Sequence, residues 1–301
     1  MTQRFAQLSD PHLTSLRDVR AGDLLNKRLL GYISWRRKRR HEHRMEVLDA
    51  LREDLPLEQL SQLLITGDLT HIGLPDEFSQ ARTWLKGLGA ADKIALVPGN
   101  HDACVTESWD NTFGQWSEYM ASDAGAEPLG FPSLRIRDDV AFIGLSSACP
   151  TPPLMASGRV GDAELSTLEG LLDSCRERRL FRVVYIHHSP VPGQEKWRKR
   201  LVNAPRVAEV LAQHGAELVL HGHGHRVRRA TLPGRDGEIP VLAIPSASAL
   251  GLHGADLAAY NLYDVQRTAA GWQLEVNTRQ FDPTESCFGE GSRYQIEVER
   301  S

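Results

Sequence analysis

Six short apolar runs recur along the chain, near residues 3–9, 62–66, 93–97, 140–146, 181–187 and 216–220, and each stops at polar or glycine-rich residues. Runs of that length bounded by turn formers predict buried strands. Between several of them, residues 44–54, 76–87, 162–178 and 203–213 set Leu, Val, Ala and Trp at helical spacing among charged side chains, which predicts helices. Strand alternating with helix reads as an α/β fold. After about residue 227 the character changes. Strands near 238–244, 258–265 and 271–277 follow one another across the turn signals Pro233-Gly234-Arg235-Asp236-Gly237 and Ala270-Gly271, which predicts antiparallel hairpins. No internal repeat and no low-complexity linker interrupts the 301 residues, so a single domain over 1–301 is expected.

Residues 24–44 break the pattern. Lys27, Arg28, Arg36, Arg37, Lys38, Arg39, Arg40 and Arg44 face one acid, Glu42, while Leu25, Leu29, Tyr32 and Ile33 share one helical face with Trp35 nearby. An amphipathic basic helical insert is expected here, serving as a solvated face, a lid, or a contact with anionic lipid at a membrane surface.

Composition adds limits rather than a function. Hydrophobic residues make up 41% of the chain, enough for a filled core, and 35 basic against 39 acidic side chains give a net charge of −4. No global field attracts nucleic acid, so any affinity for anions must be local. Cys104, Cys149, Cys175 and Cys287 have no paired spacing and read as reduced thiols. The start of the chain runs directly into a strand, and no apolar run is long enough to span a bilayer, so a soluble cytoplasmic protein is expected, with peripheral placement at the inner membrane face if the insert binds lipid.

The candidate chemistry lies at the ends of the strands. The first ends in Asp10-Pro11-His12, the second in Gly67-Asp68 and the third in Gly99-Asn100-His101-Asp102, and later strands end in His187-His188-Ser189-Pro190 and His221-Gly222-His223-Gly224-His225. The carboxyl ends of neighbouring strands in an α/β sheet converge on one crevice, so these groups meet in space. Each piece alone has a plain structural reading as a turn or a satisfied core histidine. Together they offer carboxylate, amide and imidazole donors suited to manganese, iron, zinc or similar divalent ions. Two such ions clamp a phosphoryl group, so a dinuclear site is the expectation. His188 and His221 alternate away from His187 and His223 along their strands and are set aside as ligands. His71 fits a pocket wall or a loop equally, and His253 reads as a surface-loop residue.

The ordered set Asp-x-His, Gly-Asp, Gly-Asn-His-Asp, His-His-x-Pro and Gly-His-x-His resembles the calcineurin-like metallophosphoesterase superfamily from Asp10 to His225. The resemblance implies an α-β-β-α sandwich of two packed sheets flanked by helices, whose second sheet would take the antiparallel C-terminal strands. It implies one metal on Asp10, His12 and His225, another on Asn100, His187 and His223, and Asp68 bridging both. The nucleophile would be a metal-activated hydroxide, with His101 acting on the phosphoryl or leaving oxygens and Asp102 orienting the His101 ring.

The superfamily hydrolyses several kinds of phosphoester, so the site does not choose the substrate. The Gly-Asn-His-Asp form and Ile244-Pro245-Ser246-Ala247-Ser248 resemble the cyclic-nucleotide and glycerophosphodiester phosphodiesterase branch. The basic insert resembles those of metallophosphoesterases that cleave UDP-2,3-diacylglucosamine in lipid A synthesis, the alternative substrate. A non-catalytic metal-binding scaffold is the third reading, against which stands the intact set of ligand types.

Overall fold

The computed structural model describes residues 2–124 and 130–299. Two six-stranded sheets face each other. In the first, β1 (Thr2–Leu8) pairs in parallel with β2 (Gln62–Ile65), and β2 in parallel with β3 (Ile94–Leu96). The second contains β4 (Ser133–Arg137), β5 (Val140–Leu145), β6 (Phe181–Ile186), β7 (Leu218–His221), β8 (Arg228–Pro233) and β9 (Glu238–Ala243), in the order β4-β5-β6-β7-β9-β8. β10 (Ala259–Arg267), β11 (Gly271–Asp282) and β12 (Cys287–Glu299) then return to the first sheet, where β10 lies antiparallel to β1.

The apolar runs do not alternate because the central strands are buried on both faces. In β1, Phe5 packs between the sheets while Ala6 and Leu8 face the outer helices. In β6, Val183 and Tyr185 point between the sheets and Val184 and Ile186 point outward. Phe5 marks the centre, with its ring 5.1 Å from Phe142 and 4.8 Å from Tyr263. The helices Met45–Asp54 and Pro75–Leu88 cover the first sheet, and Asp162–Glu177 and Ala204–His214 cover the second. The result is the expected α-β-β-α sandwich.

One expectation about the sheets needs correction. The C-terminal strands β10 and β11 do not belong to the second sheet; they extend the first beyond β1. Only β9, after the Pro233–Gly237 turn, joins the second, antiparallel to β8 and parallel to β7. β1 starts the first sheet with one hydrogen-bonding edge still unpaired, and the late strands close it.

The basic segment is helical but irregular. An α-helix over Arg28–Ser34 runs into a π-helical turn at Trp35–Arg39 and a last turn at Arg40–Glu42. Its apolar residues do not share one face as expected. Tyr32 and Trp35 turn inward toward Leu16, Ile72 and Leu74, whereas Leu25 (87% exposed), Leu29, Leu30 and Ile33 face solvent. Gly31 permits the close seat, since a Cβ there would meet Ile72 Cγ2 at 2.5 Å. Arg28 is buried and donates to the Ile72 carbonyl at 3.1 Å and to Glu107 at 2.8 Å, which fastens the helix to the loops after β2 and β3. Among the described residues no helix is long and apolar enough to cross a membrane.

Candidate metal centre

The loops after β1, β2, β3, β6 and β7 meet at one edge of the sandwich, and their backbones are strained there. Asp10, His12, Asp68, His223 and His225 all have positive φ, between 41° and 66°. Such conformations cost about 1–3 kcal/mol each in non-glycine residues and cluster where geometry serves function. Glycine makes the close approach possible at Gly99, where a Cβ would collide with the Asp68 carboxylate.

Asp10, His12 and His225 converge, with His225 Nε2 3.2 Å from Asp10 Oδ1. Ser9 Oγ and the His223 amide occupy the other carboxylate oxygen, Asp10 Oδ2, at 2.5 and 3.0 Å. On the other side, His187 Nε2 lies 3.2 Å from Asn100 Oδ1 and 3.2 Å from His223 Nδ1. Asp68 stands between the two groups. Its Oδ2 is 3.3 Å from His187 Nε2 and 3.9 Å from His12 Nε2, and its Oδ1 accepts from the His101 amide at 2.7 Å. All seven expected ligands are therefore brought together around Asp68.

The tautomers suit cation binding. His187 Nδ1 lies 2.7 Å from the Thr66 carbonyl and His12 Nδ1 2.9 Å from the Thr70 carbonyl, so each carries a proton on Nδ1 and turns Nε2 inward. His12 Nε2 is buried with no hydrogen-bond partner, and Asp10 Oδ1 faces only the ring nitrogen of His225. Polar atoms orphaned in this way are costly unless something binds them, and a pair of divalent cations fits the donor set. Burial and neighbouring imidazoles hold His12, His43, His71 and His223 well below the usual histidine range. His187 departs from them. Burial opposes its charge, but the Asp68 carboxylate outweighs that and lifts it to about 9, where a bound cation would compete with the proton.

His188 lies beside His223 but is no free donor. Its Nδ1 meets Ser147 Oγ at 2.7 Å and its Nε2 the Ala156 carbonyl at 3.1 Å, so both nitrogens are engaged. His221 Nδ1 faces the Gly222 carbonyl at 3.1 Å. His71 is buried and stacks on His12 at 5.3 Å, which makes it a wall of the site, and His253 is exposed at the cleft mouth.

Asp102 departs from its expected role. It does not hold the His101 ring. Its Oδ2 accepts from the Asp68 and Gly99 amides at 2.9 Å each, and its Oδ1 accepts from the Thr70 amide at 2.9 Å and Thr70 Oγ1 at 3.0 Å. It ties the loop after β3 to the loop that carries Asp68, and with every oxygen so engaged nothing remains for the ring. Burial and the Asp68 charge push Asp102 up to about 7. The ring of His101 is held instead by the His71 carbonyl, 2.6 Å from Nδ1. That contact requires a proton on Nδ1, so Arg39 Nη1, 2.9 Å from the same nitrogen, is an electrostatic neighbour rather than a donor. Burial and then Arg39 lower His101 to about 3.

Two residues at the site escaped the reading of the motifs. Arg39 reaches it from the π-helical turn, and π-helical turns are frequent at functional sites. His43, in the extended end of the insert, lies 4.5 Å from the His12 ring and 3.0 Å from Ser248 Oγ. The signal that existed was His43 standing just beyond the basic run, next to Ile244-Pro245-Ser246-Ala247-Ser248 only in space.

A cleft of about 480 Å³ opens over this cluster, bounded by Arg39, Asn100, His101 and His225 and rimmed by Lys196 and Lys199. Facing sheets with carboxylate, amide and imidazole groups converging beneath a basic cleft define a metal-dependent hydrolase of phosphoesters. The family model for calcineurin-like phosphoesterases matches residues 3–227, and the chain belongs to that family. A probable cyclic nucleotide phosphodiesterase of Vesicomyosocius okutanii is 26% identical over 220 residues, covering 72% of this chain and 81% of that protein. A second protein so described, from Synechococcus, is 29% identical over 168 residues, covering 54% of this chain and 57% of its own length. In fold, the chain is similar to a dimetal phosphatase from Danio rerio, with a TM-score of 0.58 at 12% identity and 99% of each chain covered.

Proposed function

We propose that the chain is a phosphodiesterase of the cyclic-nucleotide or glycerophosphodiester type, with one divalent ion on Asp10, His12 and His225, another on Asn100, His187 and His223, and Asp68 shared. The observation that carries the ligand assignment is the buried, unpartnered His12 Nε2 beside Asp10 and His225, together with an Asp68 carboxylate that reaches both groups. The relatives described as probable cyclic nucleotide phosphodiesterases support the substrate class. With divalent ions bound, these residues would hold a centre that supplies charge stabilisation for the phosphate oxygens and a water whose pKa falls toward about 7.

The chain's own groups divide the remaining work. Neutral imidazole and amide donors complete the ligand sets without repelling an anionic diester. Arg39, Lys196 and Lys199 draw that diester into the cleft. His101 acts at the phosphoryl or leaving oxygens, and Asp102 is a positioning residue that braces Asp68. Because His101 Nδ1 is held by the His71 carbonyl, only Nε2 is free to exchange a proton with substrate. To donate it, the ring must first become an imidazolium, which the charge of a bound diester favours against Arg39.

The test is His101→Ala, assayed on bis(p-nitrophenyl) phosphate with and without chelator. The variant should keep two ions per chain and lose about 10²- to 10⁴-fold in kcat. Metal content falling in step with rate would instead make His101 a ligand or a structural residue.

The exposure of Leu25, Leu29, Leu30 and Ile33 beside Arg36, Arg37, Lys38 and Arg40 favours a second reading, contact of the insert with an anionic lipid surface. Each basic residue near such a surface contributes up to about 1 kcal/mol, screened by salt. Replacing Arg36, Arg37 and Arg40 with Gln, but not Arg39, should abolish sedimentation with phosphatidylserine vesicles and spare hydrolysis of a small soluble diester. Wild-type protein that ignores the vesicles at low salt removes this reading.

A further inference from the structure

Beside the metal cleft lies a second, smaller pocket of about 190 Å³ beneath the insert. The helix Arg28–Ser34 supplies one wall with Leu30, Gly31 and Ser34, the loop before Ala156 supplies another with Leu154 and Met155, and Cys104 also lines the space. Lys27 Nζ donates to Thr151 Oγ1 at 2.5 Å, and Thr151 in turn donates to the Met155 carbonyl at 2.9 Å, so the two walls are fastened together. Arg39, Asn100, His101 and Ala156 line both the pocket and the cleft, which makes the two spaces continuous at the point where a scissile phosphate would sit.

We propose that this pocket is a subsite for an apolar, ring-sized group carried on the leaving oxygen of a phosphodiester, with Arg39 holding the phosphate at its entrance. The inference rests on the phosphodiesterase reading above. Three observations carry it. The accessible walls are mostly carbon, and of the two cationic residues that line the pocket Lys27 is engaged by Thr151 and Arg39 stands where the pocket meets the cleft, so the pocket suits an apolar group rather than a second phosphate. The volume suits one ring, since a cavity of roughly 150 Å³ holds benzene, and it is too small for a pair of long acyl chains. His101, assigned to the leaving oxygen, stands in the wall shared by both spaces. Arg39 supports the same placement. It is the basic residue of the π-helical turn that contacts the His101 ring, and its guanidinium suits bidentate contact with phosphate oxygens.

The test compares leaving groups in the full chain reconstituted with manganese. One substrate, methyl p-nitrophenyl phosphate, releases a ring, and the other, bis(2,2,2-trifluoroethyl) phosphate, releases a small alcohol that is followed by fluorine NMR. Ser34→Phe fills the pocket and Met155→Ala enlarges it; taking each variant relative to wild type cancels the intrinsic reactivity of the esters. For Ser34→Phe, kcat/KM should fall about tenfold or more further for the p-nitrophenyl ester than for the trifluoroethyl ester. For Met155→Ala the KM of the p-nitrophenyl ester should rise with little change for the other. Equal effects on both esters in both variants, with thermal melting unchanged, overturn the subsite while leaving the phosphodiesterase reading intact. Wild-type protein inactive on both esters overturns the phosphodiesterase reading itself, and the subsite with it.

Discussion

Replacing Asp68 with asparagine is expected to abolish hydrolysis while leaving the chain folded. Burial opposes ionisation of Asp68, but the charges and hydrogen bonds of His187 and His101 outweigh it and hold the carboxyl well below its usual range. In asparagine the shape survives and the charge does not, so two cations assigned on either side would lose the anion that screens their repulsion. A fall in kcat/KM of about 10³-fold or more is expected, because each lost 1.4 kcal/mol of transition-state stabilisation is a factor of ten and a metal supplies several kcal/mol. Metal analysis should find fewer than two ions per chain. The His101 amide keeps an acceptor in the asparagine oxygen, so the melting temperature should move little. Two tightly bound ions together with normal turnover would refute the bridging assignment.

The largest loss of stability is expected far from that edge, at Arg182 and Glu217. Both side chains are almost wholly buried, at the start of β6 and just before β7. Arg182 Nη2 and Nε meet the two Glu217 oxygens at 2.7 and 2.9 Å, the Arg182 amide donates to Glu217 Oε2 at 2.6 Å, and Nη1 donates to the His214 carbonyl at 3.0 Å. Glu217→Ala strands a guanidinium inside the second sheet and should cost about 3–5 kcal/mol, read from the urea unfolding midpoint. Converting both residues to methionine should recover most of that loss, since the desolvation penalty disappears with the pair. A single-variant cost below about 1 kcal/mol would mean that water reaches the pair.

The same central strands were legible in the sequence, for the reason that makes them stable. β1, β2, β6 and β7 are buried on both faces, so they appear as unbroken apolar runs, and Asp10, Asp68, His187 and His223 follow their ends. Three of the four edge strands were not. β4, β8 and β12 carry sequences such as Ser133-Leu134-Arg135-Ile136-Arg137 and Arg228-Arg229-Ala230-Thr231, where half-exposed positions dilute the apolar signal. Which sheet β10 and β11 would join was also out of reach, because an antiparallel strand pairs at any open edge and the sequence pattern is the same at each.

At the site, the expected ligands that cluster around Asp68 were legible because each follows a strand end, and all but His187 have a glycine or proline beside them. Contacts made by groups distant in sequence were not. Asp102 stands next to His101 in the chain, yet its carboxylate turns to the backbone of Asp68 and Thr70. Arg39 and His43 lie in a run of basic residues where nothing local distinguishes a side chain facing the cleft from one facing water. The π-helical turn resolves that choice for Arg39 by rotating it inward while Arg36, Arg37 and Lys38 stay exposed. An insert that reads in sequence as a solvated face, a lid or a membrane contact thus forms one side of the cleft through Arg39.

Anomalous diffraction from crystals grown with manganese decides whether the two groups of side chains sharing Asp68 each hold a divalent ion. Two peaks are expected, one among Asp10, His12 and His225 and the other among Asn100, His187 and His223, both in contact with the Asp68 carboxylate. A single peak, or peaks away from Asp68, would contradict the account.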